Sequence, residues 1–199
     1  MEIACNVTRQ APLIAHLVNL ATAQWRGGAR TDPLDGDALT SAFAESLSQR
    51  HSAALRATPD AGRSLAALAG ELREALLAGS PAARAQHINA LIRRYSAQPY
   101  LVEDVDQPFH LHFHGQGGTE VDALGGEFAA ALALIVDGYG PERFGECQAH
   151  QCEAVYIDLT RNGSRRYCSA SCTARAKTAA YRSRQQGGAA ATHGDGATS

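Results

Sequence analysis

Lysine is nearly missing from this chain of 199 residues: Lys177 stands alone against seventeen arginines, and methionine and tryptophan also occur once each. With alanine so frequent, the imbalance reads as a GC-rich coding bias, so arginine enrichment alone carries no functional message. No stretch approaches the roughly eighteen apolar residues that a membrane-spanning helix needs. The opening MEIACNVTRQ has no basic segment leading into an apolar core, so no signal peptide is expected. There is no glycine-rich phosphate loop, no nucleotide-cofactor motif and no defensible Ser-His-Asp or Cys-His arrangement, and an enzyme is therefore not expected. No internal repeat is visible. The net charge of −2 excludes a uniformly basic nucleic-acid binder.

Charge is unevenly distributed. Residues 1–140 carry ten Arg against fifteen Asp or Glu, whereas residues 141–199 carry eight basic and five acidic residues. From Arg161 to Arg184 there are seven basic residues and no acidic one. Such a split suggests an acidic or neutral body joined to a basic contact surface.

Apolar spacing predicts helices over residues 10–25, 37–58, 60–78 and 80–94, the last opened by a Ser80 cap and Pro81 at the first helical position. PYLVEDV and PFHLHFH read as two short strands, a hairpin near 99–114. Residues 122–137 are almost wholly apolar and predict a buried helix. Gly138 and Gly140-Pro141 end it and mark a domain boundary. Residues 185–199 have little to bury and read as a disordered tail. The expected fold is a mainly α N-terminal domain with a small β-hairpin over residues 1–140, then a small treble-clef-like α+β module over 141–184.

That module is the strongest signal. Cys147, Cys152, Cys168 and Cys172 are spaced C-x4-C and C-x3-C, with fifteen residues between the pairs. Thiolates paired in this way close a tetrahedral Zn2+ site with no open position for water, which points to a structural metal. Clustered thiols of this kind fit a reducing cytoplasm better than a disulfide framework. Cys5 reads as a small apolar residue. AVYIDL is strand-like, Asn162-Gly163 suits a turn with positive φ, RRYC returns the chain, and Ser169 or Ser171 can cap a helix carrying Cys172 in its first turn. Arg161, Arg165, Arg166, Arg175, Lys177, Arg182 and Arg184, with Tyr181 among them, then form either a phosphate-contacting surface or a solvated face docked on the acidic body. His150, between the first two cysteines, reads as an exposed knuckle residue.

The segment VYIDLTRNGSRRYCSASCTARAKTAAYRSR resembles the CGNR zinc finger of bacteria. The matching residues are Cys147, Cys152, Asp158, Thr160, Arg161, Asn162, Arg165, Arg166, Tyr167, Cys168, Cys172, Arg175 and Lys177. The motif for which that family is named is here Cys172-Thr173-Ala174-Arg175, and its usual Trp is Tyr167. The helical part, with LIAHLVNL near its start and a helix just before the finger, is similar to the ABATE-type domain that commonly precedes this finger. The resemblance implies a stress-induced transcriptional regulator that binds DNA, with the body sensing a small-molecule or metal effector or forming a homodimer.

His110, His112 and His114 alternate with Leu111 and Phe113. On a strand the three imidazoles would share a face, with Leu111 and Phe113 turned to the core. They are either the polar side of an amphipathic strand or a second metal or haem site. His16, His51 and His87 read as structural or exposed, and Trp25 as a core anchor. A zinc-stabilised protein-interaction module is the alternative to DNA binding.

Overall fold

The computed structural model describes the backbone of residues 4–104 and 107–191, and side chains over the same span except at 4–6, 104, 107, 108, 110, 112, 114 and 186–191. The side chains of Cys5, His110, His112 and His114 therefore lie outside the description.

The body is a stack of helices. α1 (Ala4–Thr22), α2 (Gly36–Ala44), α4 (Ala61–Leu76), α5 (Pro81–Tyr95) and α6 (Glu120–Tyr139) surround one core, with α3 (Gln49–Ala57) at its edge. Helical spacing places Ile14, Leu17 and Val18 of α1, Leu65, Leu68 and Leu72 of α4, and Phe128, Leu132 and Ile135 of α6 inside with no exposed surface. The Ser80 cap is as the sequence predicts, whereas the cap of α6 at Thr119 starts that helix at Glu120, before the expected residue 122. Ser80 accepts a hydrogen bond from the Ala83 N–H with Pro81 next in line, and Thr119 and Asp122 form a reciprocal capping box at α6. The helix expected over 37–58 is two helices, because Ser48 adopts extended backbone and caps α3 with its side chain on the His51 N–H.

Between α1 and α2 lies a minute hairpin, β1 (Trp25–Arg26) and β2 (Ala29–Arg30), turned by Gly27 at φ +61° and Gly28 at φ +91°. Trp25 is half-exposed here and is not a core anchor, because its strand stands at the rim of the body. The second hairpin, β3 (Gln98–Asp104) and β4 (Gln107–His114), is antiparallel with Leu101 opposite Leu111. β4 packs along α6. Leu111 does not face the core: it is 46% exposed, and Leu101 and Phe109 on the same face are 66% and 65% exposed. A two-stranded sheet backed by one helix has a single covered face, and these residues occupy the other.

After α6 come β5 (Phe144–Glu146), β6 (Val155–Ile157) and α7 (Ala170–Ala191). β5 and β6 pair with Phe144 opposite Ile157. The ladder thus joins the segments before and after the first cysteine pair. Residues RRYC, expected to return as a strand against AVYIDL, are instead held by single bonds, among them Tyr156 Oη to the Arg165 carbonyl at 2.7 Å. α7 continues through residues 185–191, the first part of the expected disordered tail, and residues 192–199 lie outside the description.

Body and C-terminal module share hydrophobic structure. Val155 and Ile157 belong to the same buried cluster as the helices, while a second, smaller cluster forms around Cys147, Cys152 and Cys172. Asn19 of α1 reads both backbone groups of Val155, donating to its carbonyl at 3.0 Å and accepting from its N–H at 2.7 Å. At the junction, buried Arg84 donates to the Ala75, Ala78 and Pro141 carbonyls. It thereby satisfies carbonyls left open at the end of α4 and fixes the start of the module.

Candidate metal centre and basic face

The four predicted cysteines converge. Their sulfurs all lie within 4.8 Å of one another. Cys152 to Cys168 and Cys168 to Cys172 are both 3.7 Å, and Cys172 to Cys152 is 3.8 Å. A tetrahedron with Zn–S bonds of about 2.3 Å has edges of about 3.8 Å, so the spacing is that of a closed four-sulfur zinc site. It is far from the roughly 2.05 Å of a disulfide, and the four thiols are free.

Local structure explains the convergence. β5 delivers Cys147 and the chain reaches Cys152 through a tight knuckle, closed by a hydrogen bond from the Cys147 N–H to the Ala154 carbonyl at 2.9 Å. Ser169 caps α7 by accepting from the Cys172 N–H at 3.2 Å, which puts Cys172 in the first helical turn. Its thiol is buried, which resists ionisation, but hydrogen bonding with Ser169 and the neighbouring sulfurs brings its pKa down to about 7. Burial pushes the thiols of Cys147 and Cys168 up, and crowding by the other sulfurs adds to this at Cys168. Four such groups cannot all ionise together without a cation between them. Zn2+ supplies that charge, and the chain's four cysteines hold it.

N–H groups surround the sulfurs. The Cys168 N–H donates to Cys147 Sγ at 3.3 Å, and Arg175 Nη1 lies 3.7 Å from Cys172 Sγ. The Gly27 N–H, from the body's minute hairpin, donates to Cys152 Sγ at 3.5 Å. That hairpin grips the knuckle on both sides. The Gly28 N–H bonds the Gln151 carbonyl at 3.0 Å, the Glu153 N–H bonds the Trp25 carbonyl at 2.9 Å, and the Gln24 N–H bonds Glu153 Oε2 at 2.9 Å. Sequence reading missed this turn. Adjacent glycines announce positive φ, but nothing nearby announces a partner some 125 residues away.

Asp158 is the buried carboxylate behind the second turn. It accepts from the Thr160 N–H at 2.9 Å, the Thr160 hydroxyl at 2.6 Å and the Arg165 N–H at 2.8 Å. Burial opposes its ionisation, yet these bonds and the charge of Arg143 prevail, and its pKa lies below the usual carboxylate range. Gly163 takes φ +56°, as the Asn-Gly pair predicts.

The seven predicted basic contacts divide. Arg165 donates to the Tyr167 and Cys168 carbonyls and lies over the Tyr156 ring. Arg166 donates to Gln148 Oε1 at 2.7 Å, and Arg175 donates to the His150 carbonyl at 2.7 Å. These three brace the metal loops. Arg161, Lys177, Arg182 and Arg184 are exposed. On α7, residues 177, 181 and 184 fall on one side, so Lys177 and Arg184 flank Tyr181, which is 58% exposed. His150 is exposed and leaves ligation to the four sulfurs.

Residues 143–185 match the CGNR zinc finger. No curated protein matches the chain. The finger's name motif is altered here, but its arginine is kept as Arg175, and its contacts with His150 and Cys172 show what that arginine does: it ties the first knuckle to the helix of the second. No described helix is long and apolar enough to cross a membrane.

Proposed function

We propose that the protein is a zinc-dependent DNA-binding regulator, cytoplasmic and non-enzymatic, whose finger contacts phosphates. The body, read as an ABATE-type domain, supplies effector sensing or self-association. The observation that carries this reading is electrostatic. The ion pairs found among the described residues are His51–Glu120, Arg73–Glu146, His87–Glu74 and Arg94–Glu71, and none involves the seven cations of residues 161–184. A basic face built to dock on the body's own carboxylates would be neutralised there, and this one is left available. Lys177 and Arg184 flanking an exposed tyrosine, with Arg161 and Arg182 also exposed, fit a backbone of phosphates and an unstacked or edge-presented base.

The test is binding of the zinc-loaded chain to random duplex DNA across a salt series. Four neutralised phosphates predict a log–log salt slope of about −3.6. Replacing Lys177 and Arg184 by Ala should reduce that slope by about 2 without loss of zinc. Absence of binding at low salt would overturn the reading and leave the finger as a platform for an acidic protein partner.

A further inference from the structure

Body and finger line an open cleft of about 940 Å³. That lies within the range of small-molecule sites. Its floor is apolar and made of small or branched groups, Ala11 and Ala15 from α1 and Val155 and Leu159 from the finger. No carboxylate lines it; Arg26, His16 and Arg165 do, and so do the hydroxyls of Thr160 and Ser169 and the zinc ligands Cys168 and Cys172, whose thiolate charge leaves no room for a multiply charged anion.

The three cationic residues are not equivalent. Arg165 is spent on backbone carbonyls. His16 stacks on Phe43, with ring centroids 6.2 Å apart, and burial followed by the charge of Arg26 lowers its pKa. Arg26 is half-buried, and its side chain has neither a hydrogen bond nor an ion pair among the described residues. Other partly buried or buried arginines of the body and junction, Arg73, Arg84 and Arg143, all have partners.

We propose that this cleft binds a small monoanionic organic acid, a carboxylate on an aromatic or branched apolar group, with Arg26 as its charge partner. A guanidinium matches a carboxylate through two parallel hydrogen bonds, and the alanine-lined floor accepts the apolar group. A single unengaged guanidinium on an apolar floor suits one negative charge rather than a polyphosphate. Because one wall is body and the other is finger, a bound acid holds the two together. The site does not depend on the DNA-binding reading.

The test uses the zinc-loaded full chain and two probes of like shape, 1-naphthoate and neutral 1-naphthalenemethanol, titrated calorimetrically. A charged hydrogen bond contributes on the order of tenfold in affinity. Naphthoate should therefore bind about tenfold more tightly than the alcohol, and Arg26→Gln should abolish that difference while leaving the alcohol unchanged. Ala15→Leu, which narrows the floor, should weaken both probes. Zinc content and melting temperature of each variant establish that it is folded. Equal affinity for the two probes, no binding of naphthoate at millimolar concentration, or full naphthoate affinity in a folded Arg26→Gln variant would overturn the proposal. So would displacement of naphthoate by random duplex DNA that itself depends on Arg26, which would assign the cleft to a nucleic-acid phosphate.

Discussion

Stripping zinc should loosen the helical body as well as the finger. Without a metal the four sulfurs have no common partner, and small zinc modules unfold when the ion is withdrawn. Losing the finger's structure would remove Val155 and Ile157 from the main core, where they are 1% and 7% exposed. It would also break the two Asn19–Val155 bonds and the three bonds from the turn at residues 24–28 to Gln151 and Glu153. Burying a branched side chain contributes about 1.5–3 kcal/mol and a net hydrogen bond about 0.5–1.5 kcal/mol. Even at the low end the body forfeits about 5 kcal/mol, comparable with the whole stability of a small domain. For a chain of this size that corresponds to a drop in melting temperature of about 10–20 °C. The assay is thermal unfolding followed by helical circular dichroism, with and without a chelator. The body's share of the signal should move with the metal. If the helices melt at the same temperature in both states, the shared core does not couple the two parts, and the finger is an appended module.

Three further outcomes follow from single contacts. Gly28→Ala forces a side chain into φ +91° and against the Arg175 guanidinium, so it should cost about 1–3 kcal/mol and speed zinc loss to a competing chelator. Asp158→Asn places an amide donor where the Arg165 N–H needs an acceptor. The native carboxyl's depressed pKa gives stability that is present above the usual carboxylate range and lost as pH falls through the folded value, and the variant should lack that component in acid unfolding. Glu127 behaves oppositely: burial raises its pKa to about 7, so its charge should weaken the fold as pH rises from about 4.5 to above 7. Glu127→Gln should raise the melting temperature at pH 8, by an amount worth about 1–3 kcal/mol, and have little effect at pH 5. An amide there can still accept from Gln10 Nε2 and can donate to Gln10 Oε1, which is buried without a partner.

Periodicity located the core faces of α1 and α4 because burial imposes a repeat of 3.6 on any helix with one wet side, and α6 was legible from its nearly unbroken apolar run. The Ser80 cap was legible because a cap is settled within four residues. The zinc ligands were legible for a similar reason: each pair lies on one local turn, and thiolate chemistry narrows what such spacing can mean. The outward sense of Leu111 was not legible, since alternation marks two faces of a strand and is silent on which one a helix covers.

The chain's own order of residues therefore determined the helices, the four sulfur ligands and the basic character of residues 161–184. Only the tertiary structure decided how those cations divide, with Arg165, Arg166 and Arg175 hydrogen-bonded to the metal loops and Arg161, Lys177, Arg182 and Arg184 exposed without such a bond to them. It alone set Gly27 against Cys152 and opened the cleft beside Arg26. The physical reason is range. Local preferences and metal chemistry act over a few residues, whereas whether a charge is occupied or available depends on groups that folding brings together from more than a hundred residues apart.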